Sequence, residues 1–370
     1  MRVIVIGSGI AGASAAYHLA RRGAEVVVVD ADRTGAATAA GAGIISPWAT
    51  RDELHYPFAA AAASYYPELV AELGEHTAEE TSYAVVGALV ASADEAVLRA
   101  AHERVEARAA TRPAAGEVAL LDPAQARELF PPLAPELAAV HISGGARVDG
   151  RRIRASMLDA ARARGAELRS GHAELDGDGV RVSGESIAAD AVVVAAGAWS
   201  GELVAALGVR IDIAPQRGQI SHLGVADIAG IAGTPTARWP VVSPVSSHYL
   251  LAFPDARVVV GATRETGAGF DHRVTAAGQA EVLEQALAVA PGLRDATLLE
   301  TRVGFRPASA DGQPVLGPLR DHPHVVLASG FGSGGLTLAP YAGSLVADLA
   351  LGEPVSFDLT PFRPDRFGDG

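Results

Sequence analysis

"MRVIVIGSGIAGASAAYHLARRGAEVVVVD", residues 1–30, sets Gly7, Gly9 and Gly12 directly behind an apolar run and ends on an acid, Asp30. Val3 to Ile6 is β-branched and apolar without alternation, which is how a strand buried on both faces of a parallel sheet reads. From Ile10 to Arg22 the spacing turns helical and stops at Gly23, and Val26 to Val29 repeats the buried-strand pattern. The result is a βαβ unit with G-x-G-x-x-G at its first turn. Gly7 permits the tight turn, Gly9 lets the backbone approach a pyrophosphate, and Gly12 allows the helix to lie close on the strands. The helix N-terminus offers unpaired N–H groups to phosphates. Asp30, ending the second strand, is placed to bond a ribose 2′-OH. A dinucleotide-binding unit is the reading that accounts for all of these together.

The rest of the chain must be large enough to use such a unit. At 370 residues, 49% hydrophobic and 20% charged, it is globular and exceeds one ordinary domain, so two domains are expected. A net charge of −13 argues against a nucleic-acid or anionic-membrane surface, because phosphates are repelled. There is no cysteine, hence no disulfide framework, no Cys-based metal site and no thioether to a cofactor; no metal ligands are singled out. Met1 and Arg2 lead straight into the first strand, leaving no room for a signal peptide, so a cytoplasmic protein is expected. Nothing between Asp321 and Asp348 is formally charged, a length that could span a bilayer. Its glycines and Pro340 break it into strand, loop and helix, so it reads as core.

Small residues fill Arg33 to Trp48. They suit either a bed for a flat ligand or the start of an alanine-rich helix, and composition leaves both open. Helices are expected near Phe58–Leu73, Asp94–Ala109, Arg151–Arg164 and Ala276–Val289. Strands are expected at Ala84–Val90 and Val118–Leu121, with a hairpin around Asp176–Gly179 and antiparallel pairing of "HYLLAF" with "RVVVGAT". Buried strands at Ala191–Ala195 and Val325–Ala328 run into Gly197 and Gly330, as the first runs into Gly7. A helix follows to about Leu351, with Thr337 as its cap and Pro340 in its first turn, or else kinked at Pro340. Three strand ends closing on glycine suggest a long dinucleotide held by a domain assembled from separated pieces.

In order along essentially the whole chain stand "VIGSGIAGASAAYHLARRG" with Asp30, "AATAAGAGI", "VVVAAGAWS", "QRGQ" at Gln216–Gln219, "HYLLAF…VVVGATRE", "GFRPASADGQPVLG" and "GFGSGGLTLAP". With these the chain resembles the FAD-dependent D-amino-acid oxidase superfamily, most like its glycine oxidase branch. The resemblance implies an α/β protein. Its Rossmann-type FAD-binding domain would comprise residues 1–49, 145–205 and 300–370. An α+β substrate domain with a mostly antiparallel sheet would comprise 50–144 and 206–299. It implies noncovalent FAD. Gly7, Gly9, Ile10, Ala11 and Gly12 would lie at the pyrophosphate, Asp30 and Ala31 at the ribose, and Ala173 near the adenine. Ala37, Thr38, Ala42, Gly43 and Ile44 would line the flavin side. Ala196, Gly197 and Trp199, with Phe331, Gly332, Ser333, Gly334, Gly335, Leu336 and Thr337, would complete the binding surface. The last helix would point its N-terminus at the flavin's pyrimidine ring, where its partial positive charge favours an anion.

For substrate, the resemblance marks Arg306 as the grip on a carboxylate, Tyr249 as its helper and Ser333 beside them. Read without the family, Arg306 is equally a structural arginine and Tyr249 a core residue. The branch's larger polar residues, including a second arginine, are absent at Phe331 and Ser333, and Gly41 stands where alanine is usual. Neutral small substrates are therefore expected to be favoured over dicarboxylic ones. The function implied is oxidation of the Cα–N bond of a small amino acid or N-substituted amino acid. Hydride would pass to FAD, the imine would hydrolyse to a keto acid, and dioxygen would be the acceptor with hydrogen peroxide as product. No side chain is assigned as catalyst, since the flavin carries the chemistry. Two alternatives stand: a D-amino-acid dehydrogenase serving a quinone or carrier, and a flavin-binding module without turnover, as in a subunit of a larger oxidase. A homo-oligomer is left open.

Overall fold

The computed structural model describes residues 1–78, 80–176, 179–231, 233–244 and 248–368. Its first sheet has six strands in the order Val315–Pro318, Val325–Ser329, Ala191–Val194, Arg2–Ile6, Glu25–Asp30 and Glu167–Ser170. All pairings are parallel except that of the outermost strand, Val315–Pro318. Strand residues divide between two cores by alternation. Val3, Val5, Val26, Val28 and Val193 pack with the helices Ile10–Arg21, Gly150–Arg162 and Gly335–Leu351. Ile4, Ile6, Val27, Val29, Val192 and Val194 pack against a small antiparallel sheet built from residues 173–188. Covering on both faces is why these strands are continuously apolar. The hairpin expected at Asp176–Gly179 has its two strands, Ala173–Asp176 and Gly179–Val182, while residues 177 and 178 lie outside the described residues.

The second large sheet has nine strands. All its pairings are antiparallel except that of Val241–Pro244 with Ala88–Ser92. Tyr249–Phe253 pairs with Arg257–Gly261, bringing Tyr249 opposite Gly261. Its longest pairing joins Ile213–Gly224 to Thr297–Ser309, so the domain boundary expected at 300 falls inside a strand. The strand expected over Ala84–Val90 is two strands in different sheets, Ala84–Val85 and Ala88–Ser92. They are parted at Gly87, where the backbone turns left-handed at φ 83°. The uncharged segment between Asp321 and Asp348 is a strand, a short turn and a helix. No helix among the described residues is long and apolar enough to cross a membrane.

Candidate active site

The adjacent strands Arg2–Ile6, Ala191–Val194 and Val325–Ser329 stop side by side, and their ends open one cavity. Gly7 turns the chain at φ 100°, and a Cβ there would stand 2.5 Å from the Ala195 carbonyl oxygen. A Cβ on Gly12 would stand 1.8 Å from the Gly7 oxygen, so the first helix sits directly on the turn. Its N-cap, Gly9, makes no side-chain cap bond; the Ile10 N–H is taken by the Thr38 hydroxyl at 2.9 Å. Asp30 lines the cavity and also braces the turn, accepting from the backbone N–H and hydroxyl of Ser8, both at 2.5 Å.

The cavity holds about 1600 Å³, open solvent at its mouth included. It is continuous from Asp30, Ala31 and Ala173 through Ala37, Thr38, Ala42, Gly43 and Ile44 to Tyr249 and Arg306. Gly7, Gly9, Ile10, Ala11, Ala196, Gly197, Trp199, Phe331, Gly332, Ser333, Gly335 and Leu336 complete the wall. Three residues expected at the ligand lie behind that wall. Gly12 serves helix packing. Gly334 is the N-cap of the last helix. Thr337 does not cap that helix; it is the third residue, and its hydroxyl donates to the Ile44 carbonyl at 2.8 Å, tying the helix to the small-residue run. Gly41 has its own reason: a Cβ there would meet the Leu336 side chain at 2.7 Å.

The large sheet contributes the polar end. Arg306 donates from Nη1 to the Thr263 carbonyl at 2.9 Å. Its guanidinium lies where a Cβ on Gly218 would stand, 2.5–2.6 Å away. The Tyr249 hydroxyl is its hydrogen-bond partner, with the ring seated over Gly261. Burial lowers the Arg306 pKa and raises that of Tyr249; each group opposes the other's shift, and the charge of Arg264 acts on both. Guanidinium remains charged at any physiological pH. Arg264, an exposed residue that lines the same cavity, was not singled out from sequence, because a lone arginine past a strand end carries no periodic signal. Gly218, Ile220, Phe305, Arg33 and His172 also line the cavity unannounced. Trp199 stacks on Phe270 with centroids 4.7 Å apart and planes 7° apart.

The family model described as FAD dependent oxidoreductase matches residues 2–349. The chain belongs to the FAD-dependent oxidoreductase family. This oxidoreductase is 43% identical over 369 residues to the uncharacterized oxidoreductase YurR of Bacillus subtilis, covering 98% of each chain. Among solved structures it is similar to iminodiacetate oxidase from Chelativorans sp. BNC1, at 47% identity and a TM-score of 0.94, covering 98% of this chain and 99% of that one. It is also similar to glycine oxidase from Geobacillus kaustophilus, at 28% identity and a TM-score of 0.84, covering 99% of both. Its cofactor is FAD, and the cavity fits that group. Two helix N-termini begin at glycines without side-chain caps, and neither has an acid in its first turn. Small residues keep the wall between them flat.

Proposed function

We propose that this oxidoreductase oxidises the Cα–N bond of a small amine that carries carboxylates on both sides of the nitrogen, as iminodiacetate does. The observation that carries the reading is the pair of guanidiniums, Arg306 and Arg264, in one cavity with the Tyr249 hydroxyl. The expectation of neutral substrates rested on the absence of a second cation at Ser333. Arg264, in the large sheet's connection to Glu265–Thr266, supplies a second cation in the cavity, and on that ground the proposal departs from the expectation. The 47% identity to an iminodiacetate oxidase supports the same substrate class.

FAD bound in the cavity supplies the two-electron acceptor: the Cα–H leaves as hydride, the nitrogen's proton goes to solvent, and water hydrolyses the resulting imine to a carbonyl acid and an amine. We propose dioxygen as the final acceptor, taking two electrons and two protons to hydrogen peroxide. Arg306, held by Thr263 and Tyr249, has the fixed fork that pairs a carboxylate bidentately. Arg264 pairs the second carboxylate closer to solvent. Among the described residues lining the cavity, the titratable groups are Asp30, Arg33, His172, Tyr249, Arg264 and Arg306. The large sheet therefore brings neither carboxylate nor imidazole to the substrate, and the amine must lose its proton to solvent.

An aerobic screen of glycine, sarcosine, iminodiacetate and both enantiomers of small amino acids, scored by peroxide, tests this. Iminodiacetate should be the best substrate. Arg306→Ala should raise the Michaelis constant by about 2–5 kcal/mol of binding, the scale of a buried charge pair broken on one side. Arg264→Ala should weaken only the dicarboxylate, by about 1 kcal/mol, since it is exposed. Equal activity on sarcosine and iminodiacetate would refute the dicarboxylate assignment. Product without peroxide would point to a quinone or carrier acceptor.

A further inference from the structure

The Gln216–Gln219 run, Gln-Arg-Gly-Gln, points its residues alternately to two faces of its strand. Gly218 and Ile220 line the cavity, while Arg217 and Gln219 do not. Those two residues are 7% and 0% exposed, and the helix Ala276–Val289 packs against the same strand. An apolar face would seat that helix as well, because buried polar groups are tolerated only when fully paired. Each polar group here is paired, and all converge on one loop, residues 263–275. Gln219 takes both ends of it. Its Nε2 donates to Glu265 Oε1 at 2.7 Å and to the Thr275 hydroxyl at 2.9 Å, and its Oε1 accepts from the Thr275 N–H at 3.0 Å. Arg217 takes Glu265 Oε2 at 2.5 Å and, in the middle of the loop, the Asp271 carbonyl at 3.1 Å. The Thr263 hydroxyl donates to Glu265 Oε1 at 2.8 Å and accepts from the Gln219 N–H at 3.0 Å. Burial raises the Glu265 pKa, and the hydrogen bonds from Arg217, Gln219 and Thr263 outweigh it, so its carboxylate stays below the usual range.

We infer that Gln216–Gln219 is a staple fixing the segment 263–275, of which Arg264 lines the substrate cavity, and that Glu265, which does not reach the cavity, is the positioning residue that holds Arg264 at the second carboxylate. This rests on the dicarboxylate reading above. Arg264 stands between Thr263 and Glu265, two of the three residues that Gln219 binds, so its chain neighbours are tied on both sides. Glu265→Gln keeps the shape but turns an amide donor towards the donors of Arg217 or Gln219, loosening the staple.

The test uses the FAD-loaded protein and two ethers that cannot be oxidised at a C–N bond: diglycolate, with two carboxylates, and methoxyacetate, with one. Binding is read from the flavin absorbance change. The unmodified protein and Arg264→Ala are measured first; if the unmodified protein binds both ethers alike, the dicarboxylate reading fails and this inference with it. If only Arg264→Ala erases the preference, the reading stands and the staple is overturned. The expected result is that Glu265→Gln and Arg217→Met each lower diglycolate affinity roughly two- to fivefold, within the range of one exposed charge pair. Methoxyacetate affinity and FAD content should stay unchanged. A merely structural role would lower both ethers equally and would overturn the inference. Arg217→Met carries the test if Glu265→Gln does not fold.

Discussion

Gly218 has no side chain because the Arg306 guanidinium occupies the space that a Cβ would need, 2.5 Å away. Gly218→Ala should therefore displace the carboxylate grip without touching the cofactor wall. We expect a Michaelis constant raised at least about tenfold, worth about 1.4 kcal/mol, at normal FAD content. An unchanged constant in steady-state assays would show that Arg306 is not held there. The buried histidines set a pH limit. His222 is lowered to about 4, by burial first and then by Arg302 and Arg257, and burial lowers His18 to about 3. Unfolded, each titrates near 6.5. Between those values the unfolded chain binds protons that the folded chain refuses, so this stability is complete above about pH 6.5 and is lost as pH falls towards 4. At about 1.4 kcal/mol per pH unit, the two together reach about 7 kcal/mol at pH 4. A melting temperature constant from pH 7 to pH 4.5 would contradict this.

The last helix shows how an element imports what its sequence lacks. Pro340 is its sixth residue and has no N–H for the Leu336 carbonyl one turn earlier. The Tyr66 hydroxyl, from the helix Tyr56–His76, donates to that carbonyl instead. Burial raises the Tyr66 pKa, keeping the phenol a donor. Tyr66→Phe leaves a buried carbonyl without a partner, about 1–3 kcal/mol. Its melting temperature should fall measurably, with FAD loosened because Leu336 lines the cavity. A melting temperature within error of the unmodified protein would mean that the Leu336 carbonyl is not left as an unmet acceptor. The sequence showed where this helix lies and that Pro340 stands near its start; the helix runs on through it. It could not show Tyr66, 270 residues away along the chain, because a hydrogen bond across two helices leaves no local pattern.

At the scale of the molecule, the cavity joins two sheets, one shaped for a dinucleotide and one bearing cations. With no cysteine in the chain, FAD should be held by contact alone, and acid or heat should release it intact into the supernatant. Flavin remaining with the precipitate would contradict this. The nucleotide half was legible from residues 1–30, because strand periodicity, the glycine turn and Asp30 are constraints between near neighbours, enforced by local backbone geometry. The three glycine-ended strands pointed to one ligand edge for the same reason, and they lie side by side. Arg306 and Tyr249 were reached through motifs, and the cavity brings them together. Arg264, Gly218 and the roles of Gly41 and Thr337 came only from the folded chain. Each depends on which atom lies across a gap between segments remote in sequence, and neither composition nor spacing records that distance.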